Sequence, residues 1–363
     1  MRLENAEPVD SVLDAAPCRS RGRVETGIGF AVARPSAGFV AVLLGALTLA
    51  VLAGLFVGRS SSTDDALQSV FFAMRANRVA VAFLSGASLA VTGAVVQGLF
   101  RNPLASPSIL GTTSGAMFGA HVALLVTVFA LGGGGALNVA PEMMMPIGAV
   151  LGAGLSLFTL LAVVSLRVSP LALLLTGYAM MMLFTGMSSM LTVLHQEAWE
   201  LNRAVAVLNL GNISAAGPRQ VLLVLVLTLG GVVPALFSCS SLDVLLAGEE
   251  EAAALGVDVK RERFWLVMWV ALMTGGAVAV GGSVGAVGLI IPHAMRPWVG
   301  QRHRYLLPAA FVGGGTFVVL CDVLCRIMPM RVEMPLGILT DLIGAPVFIH
   351  MLVRFSRAEL SHD

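Results

Sequence analysis

The chain has 363 residues, 57% of them hydrophobic and only 12% charged, with a formal net charge of +1. Soluble domains carry about a quarter charged residues, so the deficit lies in charge and excludes an ordinary soluble domain. So small a net charge identifies no partner by itself.

Residues 1–36 are polar and mixed in charge, with no apolar core before a small-residue cleavage site. They read as a cytoplasmic tail and not as a signal peptide. From residue 37 onward, apolar runs of about 18 residues or more recur, each long enough to cross ~30 Å of hydrocarbon. They predict an all-α polytopic membrane protein with ten transmembrane helices, at 37–57, 76–99, 108–131, 146–166, 171–194, 219–237, 264–282, 286–300, 305–325 and 335–353. The transmembrane domain is thus 37–353, with a C-terminal tail at 354–363. The eighth span is the least regular, being short and interrupted by Pro292 and Pro297. With the N-terminus in the cytoplasm, fifteen basic residues fall inside and seven outside, so the positive-inside rule places both termini in the cytoplasm.

Three stretches along this frame are unusual. Between the second and third spans the chain reads Arg101-Asn102-Pro103-Leu104-Ala105-Ser106-Pro107-Ser108-Ile109-Leu110-Gly111, preceded by Gly93 and Gln97. Asn102 and Pro103 close one helix, and Ser106-Pro107 suits the start of the next, so a tight turn at the membrane face is expected. In the largest cytoplasmic loop stands Gly248-Glu249-Glu250-Glu251-Ala252-Ala253-Ala254-Leu255-Gly256. Its composition favours a short helix, acidic where the dipole welcomes it and stopped by Gly256. The third stretch is Gly285-Ala286-Val287-Gly288-Leu289-Ile290-Ile291-Pro292-His293-Ala294-Met295-Arg296, with Asp322, Arg326, Pro335 and Gly337 further on. Irregular backbone at this depth survives only where protein or a water-filled cavity satisfies it, so the glycine-rich run before Pro292 is expected to be buried against a pathway or a dimer partner.

Shifting the chain by 189 residues pairs Gly86, Ala90, Val91, Gly93 and Val95 with Gly275, Ala279, Val280, Gly282 and Val284, and also Pro103 with Pro292 and Gly111 with Gly300. In the assigned topology the second span runs inward and the seventh outward, which makes this an inverted-topology internal repeat of the kind found in transporters.

Together these stretches resemble the ABC importer permeases for iron-siderophores, haem and vitamin B12, over about residues 75–353. The resemblance is carried by Asn102, Pro103 and Gly111, by the 248–256 loop, and by Pro292, His293, Arg296, Pro335 and Gly337. It implies a permease subunit in the bacterial plasma (inner) membrane. The partners it implies are two ABC ATPase subunits, a second permease chain, identical or paralogous, and a soluble substrate-binding protein. The cargo it implies is an iron chelate, siderophore first, then haem or a corrinoid; lipid surrounds the chain, and no nucleic acid takes part. Glu249, Glu250, Ala252, Ala253, Leu255 and Gly256 would form the helix that docks into the ATPase. Arg75, Arg78 and Arg326 match arginines that receive acidic side chains of the binding protein, although snorkelling arginines anchor helices in the same way. Ser106 departs from the pattern, standing where the family often has an acid.

The pathway would run along the dimer interface, chiefly on the fifth span. Met181, Thr185 and Ser188 there mix soft apolar and hydroxyl groups, which suits a lining, although methionine is equally a core filler. Asp341 puts a carboxylate in the tenth span, where it can face the pathway, a polar partner or the outer surface. The cysteines, Cys18, Cys239, Cys321 and Cys325, show no CxxC pair, and the six histidines are scattered, so no metal site is expected. No cofactor is expected on the chain either. Lys260 is the only lysine and follows no Gly-x-x-x-x-Gly-Lys pattern, so ATP and magnesium would belong to the partner.

Two other readings compete with the importer. An ion-coupled secondary transporter would share the repeat, but it usually shows a relay of intramembrane acids, and here only Asp322 and Asp341 qualify. An intramembrane serine protease has one hook, Gly281-Gly282-Ser283-Val284-Gly285 with His293, but the nucleophile elbow requires a strand-to-helix turn.

Overall fold

The computed structural model describes residues 35–57, 65–127, 141–164, 170–194, 205–206, 208–214, 216–328 and 334–360. Among the described residues the chain is helical and contains no strand. The first half provides α1 (Ala37–Phe56), α2 (Asp65–Leu99), α3 (Thr112–Leu125), α4 (Pro141–Val164) and α5 (Pro170–Leu194). The second half provides α6 (Pro218–Phe237), α7 (Cys239–Ala247), α8 (Glu249–Ala254), α9 (Val259–Gly281), α10 (Val287–Val299), α11 (His303–Ile327) and α12 (Leu336–Leu360). Nearly all of the expected tail 1–36 lies outside the described residues.

Eight helices are long and apolar enough to cross a membrane: α1, α2, α4, α5, α6, α9, α11 and α12. The third and eighth expected spans correspond to α3 and α10, helices of 14 and 13 residues. At 1.5 Å per residue α10 is about 20 Å long, short of a full crossing, while the end of the third expected span, beyond residue 127, lies outside the described residues. The expectation of ten crossing helices is therefore met by length for eight. A second boundary also differs, because α2 begins at Asp65 and not near residue 76. Its 35 residues extend well past the hydrocarbon, and Arg75 and Arg78 lie along the helix instead of at its end.

Helices in lipid gain little from apolar burial against one another, so close packing must hold them together, and small residues permit it. The α3–α4 pair shows how. Gly115 and Gly119 face Gly148 and Gly152, and an added Cβ at any of the four would come within 2.0–2.6 Å of a backbone oxygen on the other helix. The central pillar is α2, which packs against α11, α9, α10, α6 and α1. A Cβ at Gly86 would lie 2.4 Å from the Gly314 carbonyl oxygen, and one at Gly93 only 1.8 Å from that of Gly288. Ser88 and Thr228 share a buried hydrogen bond of 2.7 Å that ties α2 to α6.

The repeat is visible in these contacts. Helix α2 packs on α11 and α10, while α9 packs on α4 and α3. The sequence-paired glycines do the same work in both halves: Gly86 admits α11, and Gly275 admits Val150 of α4. Beyond them the register slips. Residues 100–111 join α2 to α3, whereas only residues 282–286 join α9 to α10, so the short helices align at an offset of 175 and not 189. The pairings of Pro103 with Pro292 and of Gly111 with Gly300 are thereby corrected, since Pro103 lies in a joint and Pro292 inside a helix. The structural counterpart of Gly111 is Ala286: both precede a short helix in the left-handed region, at φ 74° and 61°, and each abuts a glycine, Gly177 on α5 or Gly344 on α12.

One helix is fastened by polar groups as well as by packing. Little of α1 is buried, but its C-terminal carbonyls meet arginines from elsewhere. Arg326 Nη1 donates to the Gly54 carbonyl at 2.8 Å, and Arg75 Nη1 to that of Leu55 at 3.3 Å. Arg326 also holds Asp322 through Nη2, and Arg78 Nε donates to the other oxygen of that carboxylate at 2.8 Å. Asp322 is completely buried.

Two measurements check this packing. Gly93→Val should abolish the monodisperse elution peak in detergent, because backbone cannot yield as a side chain would; Gly45→Val, with nothing within 4 Å, should leave it intact. Asp322→Asn leaves two guanidinium groups without their charge partner and should cost about 3–5 kcal/mol, read as a lowered midpoint of thermal unfolding. Asp341→Asn, outside that cluster, serves as the control.

Candidate coupling and translocation site

The expected helix of the 248–256 loop is present as α8, with Glu249, Glu250 and Glu251 in its first turn. Its end is built as the residues require: Gly256 has φ 85°, its N–H donates to the Ala253 carbonyl at 3.0 Å, and that of Val257 donates to Ala252 at 3.0 Å. Ala252 is fully buried and seats the helix, while Leu255 stands 72% exposed at the tip beside exposed Ala253. Glu249 fixes the other end. Its Oε1 lies 2.5 Å from Arg263 Nη2 on the first turn of α9 and 4.0 Å from Arg101 Nη2 in the joint after α2.

Sequence reasoning missed the helix before this one. Leu242 and Leu245 bury α7 against the bundle, and Asp243 on it accepts from both the backbone N–H of His303 at 2.8 Å and its ring Nδ1 at 2.7 Å. The leucine spacing in 239–247 carried the signal for a short helix; nothing local pointed to His303, sixty residues away. Burial pushes the Cys239 thiol at its start up to about 11, so it stays protonated at neutral pH. Cys321 and Cys325 are also buried, and Cys18 lies outside the described residues.

The joint after α2 is the expected tight turn. Asn102 Oδ1 accepts from Leu104 N at 2.9 Å, Ser106 Oγ accepts from Ile109 N at 3.2 Å, and the N–H of Thr112 donates to Pro107 at 2.9 Å. Pro103 lies within the turn, and Gly111 closes it against α5, where a Cβ would lie 2.9 Å from Met181 N. Contrary to the irregular span expected, α10 runs as one helix through Pro292 and Pro297. A proline withholds the bond that the carbonyl four residues earlier would accept. Here that carbonyl belongs to Gly288, and Gln97 Nε2 of α2 donates to it at 3.4 Å. The other end of the same amide accepts from Arg296 Nη2 at 2.5 Å. Gln97, Pro292 and Arg296 thus form one unit across the α2–α10 contact, and His293 lies half-buried on the same helix.

Part of the irregular run 282–286, and the loop beside it, is satisfied within the chain. Ser283 N donates to Leu208 O at 3.0 Å, Gly285 N to Thr340 Oγ1 at 3.2 Å, and Leu336 N to Gly211 O at 2.9 Å. Pro335 leads into α12, and a Cβ on Gly337 would lie 2.3 Å from the Ser283 carbonyl oxygen. The Asp341 carboxylate sits directly over Gly285 yet is exposed at the bundle surface. Ser283 lies in a helix-coil-helix joint, so the strand-to-helix elbow of a serine hydrolase is absent among the described residues.

The remaining expected residues divide. Arg78 and Arg326 are largely buried and engage Asp322 and the end of α1, so their guanidinium groups face inward. Arg75 is half-buried at the same place. On α5, Thr185 is exposed, Met181 and Ser188 are half-exposed, and the Ser188 hydroxyl has no partner among the described residues. Most of the apolar surface of α5 is uncovered. Among the described residues no group of three or more His, Cys, Asp or Glu could hold a metal ion.

Residues 35–354 match the FecCD transport family. The chain is 38% identical over 310 residues to the cobalamin import system permease protein BtuC of Halobacterium salinarum, covering 85% of this chain and 78% of that protein. It is 34% identical over 305 residues to the hemin transport system permease protein HmuU of Yersinia pestis, covering 81% and 86%. To the Fe(3+) dicitrate transport system permease protein FecD of Escherichia coli it is 34% identical over 285 residues, covering 78% and 85%. A solved structure in an inward-facing conformation, described as of the metal-chelate ABC transporter type, superposes with a TM-score of 0.74 at 30% identity, covering 88% of this chain and all of that one. With its helical bundle and its membrane-crossing helices, the chain belongs to the FecCD family of transport permeases.

Proposed function

We propose that this chain is the translocation subunit of a binding-protein-dependent importer that moves an iron chelate into the cytoplasm, with a siderophore as the first candidate cargo and haem or a corrinoid next. ATP is hydrolysed on separate ATPase subunits, and two permease chains enclose the pathway. The observation that carries this reading is α8: a short helix seated by Ala252, braced by Glu249 and presenting Leu255 to solvent. An exposed leucine at the tip of a helix anchored to two others suits a partner's apolar pocket. The uncovered face of α5 supports a second permease chain, and Arg75, half-buried and bonded to the Leu55 carbonyl, stays a candidate for binding-protein docking.

The ion-coupled alternative loses support from the geometry, because Asp322 is clamped between two arginines.

The reading is tested by gentle detergent purification of the tagged chain from its native host. Recovery of a phosphate-loop ATPase at one copy per permease chain is expected; a chain that recruits no ATPase overturns the importer. Leu255→Asp should weaken ATPase recruitment about tenfold or more, the value of one buried leucine side chain, and uncouple uptake from hydrolysis. Its elution profile should not change. Unchanged uptake by this variant would count against α8 as the docking helix.

A further inference from the structure

We propose that Asp243 and His303 form the rigid link that carries motion from α8 into the membrane bundle; this rests on the reading of α8 as the ATPase-docking helix. With six residues and one buried side chain, α8 has too little packing to push the bundle directly. Its neighbours in space are α7 and α9. Of these α7 touches both α2 and α11, which pack extensively against each other.

The contact between α7 and α11 is more than apolar packing. His303 is the first residue of α11, and its N-cap, Arg302, supplies no side-chain hydrogen bond. The carboxylate of Asp243 takes that place from another helix, accepting the His303 N–H and the ring Nδ1 through the same oxygen. A negative group there satisfies an orphan donor and complements the positive end of the helix dipole. The ring is 2% exposed, and on its far side is Gly98 in the last turn of α2, where a Cβ would come within 2.6 Å of Nε2. Three helices therefore meet on one imidazole. When α7 shifts, the first turn of α11 and the end of α2 must follow, because the ring has no free space and its backbone and side chain share one acceptor.

Asp243 and His303 are positioning residues, and the readout is cargo moved per ATP hydrolysed in proteoliposomes holding the whole complex. Asp243→Ala is expected to keep its elution profile and bound ATPase while this ratio falls about tenfold, since both hydrogen bonds are lost together. Asp243→Asn, which retains an oxygen acceptor, should restore most of the ratio. His303→Ala should reproduce the loss, and the double variant should be no worse than either single one, as befits two parts of one link. A lowered thermal midpoint in Asp243→Ala with an unchanged ratio would mean that the pair only stabilises the fold, and would overturn the link. Recruitment of no ATPase by the unaltered chain would instead overturn the underlying reading of α8.

Discussion

The approach of α2 to its neighbours at backbone distance, with Gly93 against Gly288 and Gly86 against Gly314, is the constraint from which much of the structure follows. Lipid tails are as apolar as leucine, so two helices gain by meeting only if many atoms touch. Glycine removes the side chain that would hold them apart and brings polar backbone within reach of side chains on the other helix. That nearness lets Gln97 repair the gap Pro292 opens in α10. The same amide fixes Arg296, so a proline, a glycine and an arginine that look unrelated in the chain become one joint. The α3–α4 contact applies the same principle with two glycines on each helix, four residues apart.

Features set by local composition were legible in the sequence. Hydropathy marked the spans, and the acidic start and glycine stop of α8 marked a helix whose ends the structure reproduces within a residue or two. What depended on distant residues was not legible. Hydropathy reads α10 as a full crossing, because a buried short helix and its joint are as apolar as a lipid-facing one. The repeat was found where both halves keep α2-like packing. It was misaligned beyond that point because one joint has twelve residues and the other five. Arg326 looked like an outward-facing cation at the end of a span; only the fold shows that Asp322 lies one turn behind it and the end of α1 beside it.

The two carboxylates in the last two long helices show how the bundle treats charge. Asp322 lies between Arg78 and Arg326 and is removed from solvent altogether. Asp341 remains at the surface of α12, over a glycine that leaves room for it. A carboxylate on a bare lipid-facing surface costs about 2.5–3.5 kcal/mol on insertion scales. That stretch of α12 is therefore better suited to water or protein than to lipid tails. The neighbouring large apolar residues Ile338 and Leu342 are exposed there as well.

The fastening of α1 has a consequence for how the chain is made. Its carbonyls wait for a guanidinium that lies 272 residues downstream at Arg326. At synthesis rates of about 5–20 residues per second, α1 spends roughly 15–50 s in the bilayer before that group exists. The Arg326 fastening of α1 thus comes late in synthesis. During that interval α2 and its Arg75 bond to the Leu55 carbonyl are available to hold it, but the Arg326 fastening is not.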